Sequence, residues 1–285
     1  RFGTFAPSFG QKLVLAFIRI PPLYRGSLRP FWVRVLNALR GGPVDVTSTF
    51  GCFRVYPTTN LVDSALLIHP CYNQAEITFL REGLREGGTF VDIGANIGLY
   101  SVALGNSLGA SGRVVSIEPN PICVERLRAN LRFNNLPDAN VFPVAAGDSP
   151  GRGHLIVDHD DLAIARTVRD ATGGDFEIRT LTDILDQAGV NAIAALKIDV
   201  EGFEMAALGP FFRNAPRARW PQRICIEHLG EKSDVMTMLA EAGYQLERRT
   251  RNNALLILGC VRRWRLSVDL TGVRRNLECR HGLHL

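Results

Sequence analysis

The sequence predicts an α/β fold: a mostly parallel sheet covered by helices on both faces and preceded by an N-terminal extension. Three observations predict it. From Thr89 onward, short near-continuous apolar strands alternate with helix-length segments, the pattern of a sheet buried on both sides. The stretch FVDIGANIGLYS, Phe90 to Ser101, places glycines where a strand gives way to a helix. The alternating region then ends on two segments separated by Asn252-Asn253, the signature of an antiparallel hairpin.

The elements follow in order. LVLAFIRI, Leu13 to Ile20, is an apolar run interrupted by Arg19 and ended by Pro21-Pro22, too short to span a bilayer. It reads as a docking strand or helix of the extension, with a signal-core remnant or an interfacial segment as alternatives. Ser27 to Arg40 reads as an amphipathic helix stopped by Gly41-Gly42, and Phe50 to Tyr56 and Ala65 to His69 as strands. Asn73 and Glu76 have capping-box spacing for a helix running to about Leu84. Strands are then expected at Thr89 to Ile93, Val114 to Ile117, Val141 to Ala145, Ala194 to Asp199 and Ile224 to Glu227. Between them helices are expected at about Leu99 to Leu108, Pro121 to Phe133, Leu181 to Gln187 and Phe203 to Phe212. A helix over Asp234 to Ala242 precedes the hairpin of Tyr244 to Arg249 and Ala254 to Val261, and Gly147 to Asp175 has room for extra edge strands. The domain plan is therefore an extension over 1–72, a main domain over 73–261 and a basic tail over 262–285.

Composition narrows the function. With 285 residues, 46% apolar and 21% charged, the chain has the make-up of an ordinary globular protein. Much of the net charge of +5 lies in the tail, where six arginines from Arg262 onward face only Asp269 and Glu278. Lys12, Lys197 and Lys232 are the only lysines, so the basic excess is an arginine bias rather than a binding face, and nucleic acid is disfavoured as a partner. Cys52, Cys71, Cys123, Cys225, Cys260 and Cys279 form no Cys-x-x-Cys pair, which fits a reducing cytoplasm. Oligomeric state is not legible.

The glycine turn poses the functional question. Gly94 and Gly98 flank Ala95 and Asn96, yet a dinucleotide site requires glycine at the middle position, where the pyrophosphate packs on the backbone. Asn96 therefore disfavours an NAD-dependent oxidoreductase and favours a nucleoside ligand without pyrophosphate. S-adenosylmethionine is such a ligand. Glu118, ending the next strand in SIEPN, is placed to accept from both ribose hydroxyls, Asp148 after the third strand to accept from the adenine amine, and Asp92 to attract the ammonium group. Glu118 and Asp148 have plain structural alternatives, a solvated strand end and an Asx turn, and a glycine turn alone is weak evidence.

FVDIGANIGLYS, SIEPNP, NVFPVAAGDSPG and LKIDVEGFEMAALG with ICIEH, taken in that order, resemble the FkbM-type methyltransferases, a family of class I S-adenosylmethionine-dependent enzymes. The resemblance covers about Asn73 to Val261. It implies a Rossmann-like, doubly wound seven-stranded sheet whose last strand is antiparallel, and usually O-methylation of a hydroxyl on a sugar, glycan or natural-product small molecule. The chemistry is then expected at Lys197, Asp199 and Glu201 in LKIDVEG, with Glu227 and His228 in ICIEH. Asp199 or His228 is the expected general base. Asp199, Glu201 and Glu227 could instead hold a divalent cation that lowers the acceptor's pKa. Glu204 opens a helix and is expected to stabilise its dipole. A non-catalytic module that keeps the cofactor pocket is the rival from another class.

Overall fold

The computed structural model of the chain describes residues 1–20, 23, 28–85, 87–109, 111–138, 140–158, 161–170, 173–227 and 233–259. His228 and the expected tail, 262–285, lie outside the described residues.

The extension opens with helix α1, Phe9–Ile18, started by a capping box in which Ser8 Oγ accepts from the Gln11 N–H while the Gln11 side chain accepts from the Ser8 N–H. Helix α2, Leu28–Leu39, packs beside it, and strands β1, Val44–Thr47, and β2, Cys52–Val55, form an antiparallel hairpin. Asp45 ties this module together by accepting from the Gly3 and Phe5 N–H groups and from Arg54 Nε at 2.7 Å. The strand expected over Ala65 to His69 is instead part of helix α3, Leu61–Ile68. A short apolar run does not distinguish helix from strand; Asn60 decides it by capping the helix, its Oδ1 accepting from the Val62 N–H. Helix α4, Gln74–Glu82, forms as expected but without its capping box: Asn73 sits at φ 57° and its Nδ2 donates to Tyr100 Oη at 2.9 Å.

The remaining elements are β3, Thr89–Ile93; α5, Leu99–Leu108; β4, Arg113–Ile117; α6, Pro121–Phe133; β5, Val141–Phe142; and β6, Val144–Gly147. They continue with β7, Gly151–Asp158; β8, Asp161–Asp170; β9, Phe176–Thr180; α7, Leu181–Gln187; β10, Ala195–Ile198; and α8, Glu204–Asn214. The last elements among the described residues are β11, Arg223–Glu227; α9, Asp234–Glu241; β12, Tyr244–Arg249; and β13, Asn253–Leu258. The central sheet has seven strands in the order β12-β13-β11-β10-β3-β4-β5, parallel except that β13 runs antiparallel to both neighbours. This is the Rossmann-like sheet with an antiparallel last strand.

The expected strand Val141 to Ala145 is broken in two. Pro143 has no N–H to give a ladder and a fixed φ, so β5 ends in the central sheet and β6 joins a second sheet, β6-β9-β7-β8. That sheet contains the extra strands anticipated between Gly147 and Asp175.

Alternating side chains divide the core into two layers. Phe90, Ala195, Cys225 and Leu255 face the layer shared with α4, α5 and the extension. Val91, Leu196, Ile224 and Leu256 face the layer shared with α7, α8 and α9. The extension is fastened to α6 by two asparagines: Asn134 Oδ1 accepts from the Cys52 N–H and Asn130 Oδ1 from the Arg54 N–H, each at 2.8 Å. Strand order reverses between β3 and β10, so the crevice beyond their carboxyl ends is the place where such sheets bind ligands.

Candidate active site

A cavity of about 290 Å³ occupies that crevice, with Gly94, Ala95, Asn96, Glu118, Lys197, Asp199, Glu201 and Glu227 in its wall. A larger cleft, about 760 Å³, opens near the amino ends of β3 and β4, beside Glu82, Arg85 and Arg113. We assign the site to the smaller one, because it lies at the switch point and gathers most of the charged side chains that the sequence singled out.

The turn after β3 takes its shape from packing. Gly94 is at φ 73°, and a Cβ there would overlap the carbonyl oxygen of Asp199; Gly98 is at φ 89°, and a Cβ there would overlap Leu127. The glycines thus bring β3 against β10 and α5 against α6, and Gly98 does not line the cavity. Asn96 is at φ 49°, a left-handed conformation that asparagine tolerates. Its Oδ1 accepts from the Ile97 N–H at 2.8 Å and from Asn60 Nδ2 at 2.7 Å. The middle position therefore holds an asparagine because the side chain latches the turn to the N-terminal extension.

Glu118 is fixed at the end of β4. Oε2 accepts from the Asn96 N–H at 2.8 Å and Oε1 from the Asn120 N–H at 2.9 Å, and the residue is 8% exposed on the cavity wall. Burial pushes its pKa up, against those two hydrogen bonds, which hold it down. Asp92 lies deeper. It is fully buried outside the cavity wall, with Oδ2 accepting from Ser101 Oγ at 2.6 Å, and burial raises its pKa. Asp148 is drawn away, because the chain has left the central sheet at Pro143 and its carboxylate pairs with Arg169 of β8.

Lys197 stands opposite Asp92 on the neighbouring strand. Its Nζ donates to the Gly94 carbonyl oxygen at 2.6 Å and lies 3.8 Å from Asp92 and 3.7 Å from Asp199. Burial alone would lower the Lys197 pKa, but the two carboxylates outweigh it and the pKa is raised. Lys197 is thus a charged strut between β10 and the glycine turn.

The acidic rim completes the site. Asp199, Glu201 and Glu227 each bring a carboxylate oxygen within 4.8 Å of the others, a spacing that a divalent cation could bridge. Burial, reinforced by Asp199, Glu201 and Glu204, pushes Glu227 up to about 7, and its Oε2 is buried with no hydrogen-bond partner among the described residues. Burial and the neighbouring carboxylates also raise Glu201, which is held at φ 49°. Glu204 faces inward to the backbone, accepting from the Gly202 N–H at 3.1 Å at the start of α8. Sequence reasoning missed Tyr72, Asn73, Tyr100 and Asn252, which also line the cavity. Asn252 was legible only as a turn residue, and nothing in the local pattern marks Tyr72.

The donor set suits a cationic nucleoside. Among the described residues four carboxylates, Glu118, Asp199, Glu201 and Glu227, face one ammonium, Lys197, across the cavity, so a pyrophosphate would be repelled and a ligand bearing sulfonium and ammonium charges attracted. The cysteines that are described, Cys52, Cys71, Cys123 and Cys225, are free. No helix among the described residues is long and apolar enough to cross a membrane.

No curated protein matches the sequence. Among solved structures the chain is similar to cofactor-bound Rv0187 from MTB, at 17% identity over 65% of this chain and 79% of the other, with a TM-score of 0.41. It is also similar to Aeropyrum pernix fibrillarin in complex with S-adenosyl-L-methionine (15% identity, 64% and 73% covered, TM-score 0.38). A third is an rRNA methylase from Streptococcus thermophilus (11% identity, 65% and 94% covered, TM-score 0.40). The assignment rests instead on the family profile of the FkbM methyltransferase domain, which matches residues 92–246, more than half of the chain, and spans the turn from Gly94 to Gly98 and the rim residues Asp199, Glu201 and Glu227. The chain belongs to the FkbM family of S-adenosylmethionine-dependent methyltransferases.

Proposed function

We propose that the chain methylates a hydroxyl group of a small molecule, a sugar, glycan or natural product, with Glu227 as general base. The observation that carries this is the Glu227 carboxyl: it lines the cavity, keeps a buried oxygen without a partner among the described residues, and is pushed up to about 7 by burial and the neighbouring carboxylates. An alcohol must lose its proton as the new bond forms, and a base with a pKa near the working pH is suited to take it. Asp199 is less suited because it faces the Lys197 ammonium at 3.7 Å. When bound, S-adenosylmethionine supplies an electrophilic methyl group on sulfur. Glu118 would hold its ribose hydroxyls and the rim carboxylates its positive charge, while Lys197 keeps the turn in place. Leu61, Val62 and Tyr72 of the extension line the same cavity, and we assign residues 1–72 to the acceptor side of the site, the 73–261 unit holding the cofactor.

The test is methyl transfer from labelled S-adenosylmethionine to a panel of hydroxylated acceptors, with the methylated atom identified by mass spectrometry. Turnover should fall on the acid side of about pH 7, where Glu227 is protonated. Glu227→Gln should lose ~10²-fold or more in kcat while binding S-adenosylhomocysteine normally. Wild-type turnover in that variant, or methyl groups found on nitrogen, would overturn the proposal. Loss of activity on chelation, restored by magnesium, would transfer the activating role to a cation on the same three carboxylates.

A further inference from the structure

Helix α1 presents two apolar faces. Gln11, Leu15 and Ile18 are buried against the rest of the fold, whereas Phe9, Leu13 and Phe17, four residues apart on the other side, are 78%, 59% and 54% exposed. Ile20 just beyond the helix is also exposed, and α2 extends the patch with Phe31. The aromatic rings join the two helices, since Trp32 meets Phe17 at 5.9 Å and Phe31 at 5.0 Å between centroids. An exposed apolar surface this continuous marks an interaction site.

Charge identifies the occupant. Arg1, Lys12, Arg19, Arg25, Arg29, Arg34 and Arg40 are the charged residues of the first 44 positions, and the first acidic residue of the chain is Asp45. Lys12, Arg19 and Arg34 are exposed in the same two-helix unit. An apolar stripe on two helices that carry cations and no acidic side chain complements a surface that is greasy within and anionic at its edge. A second copy would bring the same cations against these, and the Arg-rich tail beyond Arg262 carries the same sign. At ten residues, α1 is about 15 Å long against the ~30 Å of a bilayer core, so it can lie on a membrane but not cross one.

We propose that the α1–α2 hairpin docks the protein on the surface of an anionic lipid bilayer, with Phe9, Leu13, Phe17 and Phe31 entering the headgroup–acyl boundary and Lys12, Arg19 and Arg34 meeting lipid phosphates. This is independent of the methyl-transfer reading. The experiment is co-sedimentation of the full chain with phosphatidylcholine vesicles containing phosphatidylglycerol, compared with phosphatidylcholine alone. Partitioning should be at least ~10-fold stronger on the anionic vesicles and should weaken as salt rises. The double variant Phe9→Ser, Leu13→Ser should lose it, as should Lys12→Glu, Arg34→Glu, with S-adenosylhomocysteine affinity and melting temperature unchanged in both. Equal binding to neutral and anionic vesicles, or full binding by the charge-reversed variant, would overturn the anionic surface. Absence of vesicle binding would overturn the proposal outright. If light scattering then showed a dimer that the Phe9→Ser, Leu13→Ser variant dissociates, the patch would belong to a second copy.

Discussion

Replacing Glu118 by glutamine separates the two tasks of that side chain. Its two oxygens each accept one backbone N–H, from Asn96 at 2.8 Å and from Asn120 at 2.9 Å. Glutamine keeps one oxygen and turns an amide donor toward the other N–H, so one of the two is left without an acceptor, at a cost of about 1–3 kcal/mol. That cost falls on the Asn96 turn or on Asn120, the cap of α6, and appears as a lower melting temperature. On the cavity side the variant loses one of four carboxylates and half of the acceptor pair available to a ribose diol. A hydrogen bond to a charged group contributes about 1.5–3 kcal/mol, so affinity for S-adenosylhomocysteine should fall roughly 10- to 150-fold. Isothermal titration calorimetry on Glu118→Gln, with a thermal melt to show that the fold survives, measures both effects. Burial raises the Glu118 pKa, so wild-type affinity should also decline as pH falls and the carboxylate is neutralised, whereas that part of the pH dependence should vanish in the variant. A dissociation constant within about twofold of wild type in a folded variant would remove Glu118 from the binding site and with it the placement of the nucleoside over β3 and β4.

Two further substitutions test the backbone around the site. Gly94→Ala should destabilise the fold by roughly 2–5 kcal/mol, because the new Cβ both meets the Asp199 carbonyl and forces a left-handed residue; an unchanged melting temperature would refute the close approach of β3 and β10. Glu201→Gly should raise the unfolding free energy by about 1 kcal/mol by relieving the positive φ, and the loss of a third rim carboxylate adds in the same direction. Destabilisation on chemical denaturation would show that Glu201 is held by interactions stronger than its strain.

The parts of the site that were legible in the sequence are those written in a single segment. Glu118, Asp199, Glu201 and Glu227 follow or end short apolar strands whose carboxyl ends must meet in a parallel sheet, Lys197 lies one residue inside such an end, and the cavity gathers all five. What was not legible depends on where distant segments go. Asp148 follows an expected third strand, but Pro143 ends that strand after Phe142 and sends the chain into a second sheet, where Arg169 takes the carboxylate. Asp92 sits on the strand face that pleat alternation turns inward, so it reaches Ser101 and Lys197 and leaves the cavity wall to Gly94, Ala95 and Asn96. Ala65 to His69 reads equally as helix or strand until Asn60 caps it, and that same Asn60 donates to Asn96 at 2.7 Å. The cap that sets α3 therefore also holds the glycine turn, and a change in the extension at Asn60 is transmitted to the cavity through one hydrogen bond. The asparagine that stands where a dinucleotide turn has glycine is in this way explained by the extension, a segment outside the residues that the family profile matches.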